Sequence, residues 1–357
     1  MRTGTLITGG AGFIGCELSR RLSPDDGPVV AVDSLLPQVH PARTRPDALP
    51  EHVELIVADV RDRRFWDAFF AACRPRQIVH LAAETGTGQS LTQSARHSSV
   101  NVTGTAEMLD AMSRVGHRPD HVLLASSRAV YGEGAWRGSD GAVFYPGRRS
   151  HRRLAAGRWS FDGPDGAPAA PLPHEAASVH PHPSSIYGAT KLAQEHLLAT
   201  WASARSVPLS ILRFQNVYGP GQSPFNPHTG IVTLFHQQAH AGEAIEVYED
   251  GQIGRDFVFI DDAVAACRAA LAAPPTALRT LDVGSGTATT ILDAARIIAG
   301  AHGAPDPRIS GRFRDADIRW AVSDAAPAAD QLGIRATIGF AEGSRRVSEW
   351  LLRRGLP

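Results

Sequence analysis

The first half of the chain alternates between two apolar patterns. Short runs that are apolar at nearly every position read as strands buried on both faces: TLIT (5–8), PVVAVD (28–33), VELIVAD (53–59), QIVHLAA (77–83) and HVLLASS (121–127). Between them the apolar residues fall three and four apart, as on one face of a helix. These segments are FIGCELSRRL (13–22), RRFWDAFFAAC (63–73), with Phe65, Phe69 and Ala72 on one face, and a longer stretch over 91–116. Strands of that kind alternating with helices predict a parallel sheet covered on both sides, and right-handed crossovers make it doubly wound.

Residues 132–183 break the rhythm. They are rich in Gly, Pro, Arg and His and carry no sustained period. The excursion is too long for an ordinary connection and is expected to be functional or mobile. His174, His180 and His182 invite a metal site, but no cysteine or carboxylate cluster completes one, so exposed loop histidines and no metal are expected. Helical spacing resumes at 184–206, followed by the strand LSILRF (209–214). Beyond the punctuated loop NVYGPGQSPFNP (216–227) the elements are shorter and mixed. A helix is predicted near 229–241, strands at IEVY (245–248) and DFVFI (256–260), a helix at 261–272, a strand at TLDVG (280–284), a helix at 289–301 and a last one near 341–354. The predicted fold class is α/β, a doubly wound parallel sheet with a smaller α+β lobe. The sheet domain would span 1–216, with 133–183 inserted and 256–284 returning to it, and the lobe 217–255 and 285–357.

Composition removes several classes of function. Lys+Arg and Asp+Glu are both 36, so the chain has no net charge and no electrostatic footprint for nucleic acid or a membrane surface. Cys16, Cys73 and Cys267 lie far apart with no CxxC pair, which argues against a disulfide framework or a zinc site and suits a reducing, cytoplasmic setting. No apolar run is long enough to span a membrane, and Met1 is followed by no signal-peptide pattern.

Candidate chemistry begins at TGGAGFIG (8–15), between the first strand and the first helix. Glycines there allow a tight turn, let backbone N–H groups approach a pyrophosphate, and let the helix pack on the strand; the helix N-terminus favours the phosphate charge. Asp33 closes the second strand, where a carboxylate bonds both ribose hydroxyls and repels a 2′-phosphate, which favours NAD over NADP. Asp59, ending the third strand, is a candidate for adenine contact or for a helix N-cap.

The second site is IYGATK (186–191), which holds the chain's single lysine. With Ser184 or Ser185 as cap, a helix puts Tyr187 and Lys191 on one face. A phenol titrates near 10 and is a poor base at neutral pH, but an adjacent ammonium and a nicotinamide cation would pull that value down. Lysine is a compact charge with three donors that also suits ribose hydroxyls, and arginine's planar fork would not replace it well.

These motifs resemble the extended short-chain dehydrogenases/reductases, in the nucleotide-sugar epimerase/dehydratase branch, over nearly the whole chain. The resemblance rests on TGGAGFIG, Asp33, ADVRD (58–62), HLAA (80–83), VNVTGT around Asn101, SSRAVYG (126–132), YGATK, RFQNVYGPGQ (213–222), RDFVFIDD (255–262) and DVGSG (282–286). It implies a Rossmann-type fold, NAD as cofactor, a nucleotide-diphosphate sugar as substrate, and a homodimer formed through the helices near 91–116 and 184–206. It further implies Ser127, Tyr187 and Lys191 as the catalytic set. Gly9, Gly12, Phe13, Ile14, Gly15, Asp33, Asp59, Val60, Leu81, Ala82, Ala83 and Asn101 would line the cofactor, with Asn101 also supporting the helix and the active-site backbone. Asn216, Arg255, Arg314 and Asp317 match positions that grip the diphosphate and the nucleotide ribose. Glu84, Thr85, Thr87 and Gln89, after the fourth strand, would contact sugar hydroxyls or line NAD. Arg128, unusual beside the serine, would bind an anionic sugar group or pair with Glu84.

Within the branch, DSLLPQVHP (33–41), AAETGTGQS (82–90) and ASSRAVYGEG (125–134) look most like the dTDP-L-rhamnose 4-epimerase group. The 4,6-dehydratases carry an Asp-Glu pair after the matching serine or threonine, one acid to protonate the leaving hydroxyl and one base to take the C5 proton. Here those positions are Arg128 and Ala129, which disfavours dehydration. The expectation is a 4-epimerase working through transient C4 oxidation. A nucleotide-sugar dehydrogenase or C3/C5 epimerase is the alternative, ahead of a non-catalytic NAD-binding regulator. The 133–183 excursion would form a lid or a wall for the base.

Overall fold

The computed structural model describes residues 4–23, 27–224, 226 and 230–355. Phe225 and Pro227, in the punctuated loop read above, lie outside them. All seven strands of the central sheet run parallel, in the spatial order Leu278–Val283, Leu209–Phe214, His121–Ser127, Gln77–His80, Thr5–Thr8, Val29–Asp33, Glu54–Val57. The order reverses between the first and fourth strands, where Thr8 pairs with Val32 on one side and His80 on the other. That reversal opens a crevice at the carboxyl edge of the sheet, the place where such folds bind ligands.

Alternate residues of each strand feed two cores. Leu6, Val30, Val32, Ile78, Val122 and Leu124 pack under the helices Arg63–Ala72, Gly104–Arg114 and Ile186–Arg205, against Trp66, Phe70, Met108 and Leu198. Ile7, Ala31, Val79, Leu123 and Leu212 face the other way, toward the helices Phe13–Arg21 and Ile260–Ala272 and a larger core continuous with the second lobe. Fully burying one such aliphatic or aromatic side chain contributes about 1.5–3 kcal/mol.

Several expectations are corrected. The helix Arg63–Ala72 buries Trp66, Phe69 and Phe70 rather than the stripe through Ala72, which is exposed; Trp66 Nε1 donates to Val60 O at 2.7 Å and fixes the rotation. The long helix over 91–116 is four pieces: Thr87–Thr92, Ser94–Ser98, a π-helical turn Ser99–Thr103, and Gly104–Arg114. The strand Gly254–Phe259 pairs with Asn216–Tyr218, Ala288–Thr290 and Trp320–Ala321 in a second sheet, so the chain rejoins the main sheet domain with the following helix and the strand Leu278–Val283.

The inserted segment is built rather than loose. Strands Trp136–Arg137, Val143–Phe144 and Ala170–Pro171 make a small antiparallel sheet, with the helix His151–Ala155 beside it. Trp136 is buried edge-on to Phe161, centroids 5.0 Å apart. His180 and His182 are exposed as expected, but His174 is buried, its ring 4.5 Å from that of Tyr131. No group of three or more potential metal ligands occurs among the described residues. The three cysteines are free. Among the described residues no helix is long and apolar enough to cross a membrane.

Candidate active site

Ser185 caps the helix Ile186–Arg205, its Oγ accepting from Gly188 N at 3.1 Å. Tyr187 therefore sits in the first turn, with Ser127, at the carboxyl end of the fifth strand, near enough to pull the pKa of its phenol down. Ser127 Oγ also accepts from Ala129 N at 3.2 Å, which caps a tight 3-10 turn, Arg128–Tyr131. Burial raises the phenol above its ordinary range; the Ser127 hydroxyl and then the Arg128 charge oppose it. Lys191, 2 % exposed, donates from Nζ to Gln194 Oε1 at 2.6 Å. Burial pulls the lysine down to about 7, with Glu195 opposing.

Two buried polar networks hold this pair in place, and sequence reasoning missed both. In the first, Gln194 Nε2 donates to Thr105 Oγ1 at 2.9 Å and lies 3.2 Å from His80 Nε2, while His80 Nδ1 is 2.7 Å from Thr8 Oγ1. The first strand is thus tied to the lysine through three side chains. Burial, and then the Lys191 charge, hold His80 down at about 3. In the second, Glu195 forms a fork with Arg213 at 3.0 and 2.7 Å and accepts from the Ser126 hydroxyl; Arg213 also reaches Tyr131 Oη at 2.9 Å, which donates to Asp282 at 2.8 Å. This binds the Tyr187 helix to the strand that carries Ser127. The signals were Gln194 and Glu195, three and four places after Lys191, and the tyrosine of VYG.

Asn101 lies in the π-helical turn, fully buried. Its amide brackets Glu84, accepting from Glu84 N at 2.7 Å and donating to Glu84 O at 3.0 Å, and reaches Thr190 Oγ1 at 2.9 Å on the Tyr187 helix. A π turn at such a point is a common device of functional sites.

The glycine loop forms the floor of the crevice. Gly9 has φ +66°, and a Cβ there would meet Ala82 N at 2.8 Å. Leu81 N and Ala82 N donate to Thr8 O and Oγ1 at 3.1 and 3.2 Å, so the segment 81–83 runs directly beside the loop. Phe13 and Ile14 open the first helix. Asp33 is held at the crevice edge, Oδ2 accepting from Ala11 N at 3.1 Å and Oδ1 from Leu35 N at 2.9 Å. Asp59 pairs with Arg61 at 2.6 Å, and the hydrogen bonds from Arg61 hold its carboxyl low; Asp62, not Asp59, caps the next helix. Val60 packs its side chain into the core under Gly104.

A cavity of about 500 Å³ lies between the sheet edge and the second lobe, lined among others by Thr87, Arg128, Asn216, Arg255, Arg314 and Asp317. Arg128 Nε donates to Asn216 Oδ1 at 2.8 Å. Burial presses its pKa down, and the Arg255 charge adds to that, so two guanidiniums share this space. The Asp317 carboxylate opposes this shift most. Arg128 does not pair with Glu84, whose carboxylate takes a fork from Arg96 at 2.9 and 3.0 Å. Gln89 is buried against Gln38 and Gln93, and Thr85 O lies 3.3 Å from His97 Nε2, so Thr87 is the one of these four that lines the cavity. Arg255 is buried and no surface partner of Asp256, which points the other way and binds Ser285, Gly286 and Ser323. A larger groove of about 1120 Å³ lies between the first helix, where Gly12 and Phe13 line it, residues 39–48 and the last helix. Neither space is lined by Ser127, Tyr187 or Lys191; the smaller one adjoins them through Arg128, the residue after Ser127.

Residues 5–149 and 163–284 match the NAD-dependent epimerase/dehydratase family. The chain belongs to that family. It is 51% identical over 346 residues to the dTDP-L-rhamnose 4-epimerase of Burkholderia thailandensis, covering 97% of this chain and 94% of that one. It is 29% identical to the UDP-glucose 4-epimerase of Mycolicibacterium smegmatis, with 97% of each covered. Among solved structures it resembles the Thermus thermophilus UDP-glucose 4-epimerase in complex with NAD, at 25% identity and TM-score 0.76, covering 98% of this chain and 99% of that one.

The crevice fits the family's cofactor on its own chemistry. Gly12 meets only Gly9 O, at 3.2 Å, so the loop leaves backbone approach open to a pyrophosphate. Asp33 stands at the end of the second strand with a carboxylate for ribose hydroxyls, and the buried ammonium of Lys191, which has three donors, gives one to Gln194.

Proposed function

We propose that this protein is an NAD-dependent nucleotide-sugar 4-epimerase acting on a dTDP-linked 6-deoxyhexose of the rhamnose type. The glycine loop, Asp33 and Lys191 would hold NAD, which would supply a reversible hydride acceptor for C4 of the sugar. Tyr187 takes the proton of the C4 hydroxyl and later gives it back. Ser127 bonds the same oxygen and orders the phenol. Arg128, Asn216 and Arg255 hold the diphosphate, while Arg314 and Asp317 hold the nucleotide, so the sugar can turn over about its phosphate linkage. Asp59, Val60, Leu81, Ala82, Ala83 and Asn101 complete the cofactor wall, through backbone for Val60. The main sheet and its insertion form the cofactor domain, the remainder forms the substrate lobe, and two copies pair through the helices Gly104–Arg114 and Ile186–Arg205, which light scattering would check.

One observation carries the reading: a phenol beside Ser127, next to a cavity lined by three arginines, with Arg128 and Ala129 where elimination needs an acid and a base. Incubation with dTDP-L-rhamnose should give an isomer of equal mass with no net NADH. Tyr187→Phe should lose about a thousandfold in kcat while keeping NAD. Stoichiometric NADH, or deuterium entering C3 or C5 from heavy water, would replace the epimerase with a dehydrogenase or a C3/C5 epimerase.

A further inference from the structure

The inserted segment contributes no residue to the lining of the 500 Å³ cavity. Residues 150–162 of it also lie outside the family match. What it does carry is Arg149, a guanidinium with no exposed side-chain surface. Its Nε donates to Glu133 Oε1 at 3.1 Å, Nη1 to Glu249 Oε2 at 2.7 Å and to Trp159 O at 3.0 Å, and Nη2 to Asp317 O at 2.8 Å. The other Glu133 oxygen accepts from Arg319 N at 2.7 Å.

These bonds fall on the backbone of one short arm. Between 312 and 319, Arg312 O accepts from Glu249 N at 2.8 Å, Asp317 O from Arg149, Ile318 O from Arg255 Nη2 at 2.9 Å, and Arg319 N gives to Glu133. The Arg319 side chain closes the ring with Glu249 at 3.3 Å and Asp250 at 2.6 Å. On the exposed side of the arm, His151 of the insertion touches Asp315 at 2.9 Å. The two residues of this arm that line the cavity, Arg314 and Asp317, are held mainly through their backbone; Arg314 rests on the Tyr248 ring at 5.1 Å. A charge with two carboxylates and two carbonyls around it is expensive to disrupt and rigid in direction. A planar fork with several donors is what the geometry requires, and a lysine offers no such fork.

We propose that Arg149 is a positioning residue for substrate binding: from the insertion, together with Glu133, it fixes the arm 314–319 so that Arg314 and Asp317 face the nucleotide of the substrate. This rests on the reading of the cavity as the nucleotide-sugar site.

Arg149→Met, Arg149→Lys and Glu133→Gln would be compared with the unchanged protein by titration calorimetry with dTDP and with NAD, and by steady-state kinetics. In Arg149→Met, dTDP affinity should fall and KM for the dTDP-sugar should rise, each about tenfold or more, with kcat within about threefold. NAD affinity should not change. Arg149→Lys should recover part of the loss. In an Arg314→Ala/Asp317→Ala background, Arg149→Met should add less than about twofold, because it acts through those two side chains. Unchanged dTDP affinity in a folded Arg149→Met protein overturns the proposal, and so does a parallel loss of dTDP and NAD affinity. If Arg149→Met does not fold, Glu133→Gln decides by the same readout, since it keeps shape and removes one charge. Arg314→Ala and Asp317→Ala proteins that bind dTDP as tightly as the unchanged chain would remove the site reading itself, a different failure from the first.

Discussion

Arg128 places a cation next to Ser127 and the Tyr187 phenol, with no carboxylate paired to it among the described residues. Its Nε donates to Asn216, and its charge bears on Tyr187 against the upward push of burial. A base must lose its proton before it can work, so kcat/KM should climb as pH rises through the phenol's pKa. Removing the cation raises that pKa further. Arg128→Met should therefore move the rising limb of the kcat/KM profile to higher pH, by about one unit, and Arg128→Lys should restore most of it. The groups facing the phenol are Ser127 and Arg128 from the strand end; Lys191, on its own helix, is drawn toward Gln194. A limb that stays put in Arg128→Met would mean that this arginine serves the substrate's phosphates alone. The spacing of Tyr187 and Lys191 was legible because four residues make one helical turn. Which cation reaches the phenol was not, since that depends on where a different strand ends.

Elements whose signal is local were readable, and those set by contacts were not. Each strand of the main sheet is apolar on both faces, so its run of residues carries the whole message. The π-helical turn Ser99–Thr103 changes the helical period for one turn only, too short to disturb the pattern, and its reason is the distant backbone of Glu84. Likewise Arg149 reads as one more arginine in a loop until Glu249 and Asp317 arrive from elsewhere. The glycine loop is an element whose parts separate by experiment. At Gly15 a Cβ would lie 2.6 Å from Gly10 O and 2.7 Å from Gly9 O, both backbone atoms, so the first helix would have to leave the strand. Gly15→Ala should cost about 1–3 kcal/mol of stability along with cofactor binding. At Gly12 only Gly9 O lies near, at 3.2 Å. Gly12→Ala should melt within a few degrees of the unchanged protein but bind NAD at least about tenfold more weakly, because the methyl occupies the line of backbone approach. Equal melting losses in both variants, read by calorimetry, would sink the distinction.

Across the whole molecule the polar residues that tie strands, helices and insertion together are buried, and this gives the fold a predicted response to acid. His80, His174 and His236 are held down at about 3 and His121 at about 4, in each case by burial first. Cations add to this: Lys191 at His80, Arg128, Arg255 and Arg213 at His174, and Arg279 at His121. His236 instead faces His302 at 2.9 Å. In the unfolded chain all four take protons near 6.5, whereas the folded chain refuses them until pH 3 to 4. The unfolded state therefore binds more protons in between, and stability falls as pH drops through that window. Each group contributes on the order of 1 kcal/mol per pH unit there. Two carboxyls run the other way: burial pushes Glu133 and Asp282 up to about 7, so their contribution is present at low pH and lost as pH rises through 7. Four groups outweigh two, and below pH 4 the carboxyls no longer change. The urea midpoint should thus drop from pH 7 to pH 5 and drop faster below 4. His174→Gln, which keeps a polar group against Tyr131, should start lower at pH 7 and fall less steeply. A midpoint that is flat or rises on acidification to pH 5 would show that these rings are protonated inside the folded protein, and that the networks joining sheet, catalytic helix and insertion carry more charge than their geometry indicates.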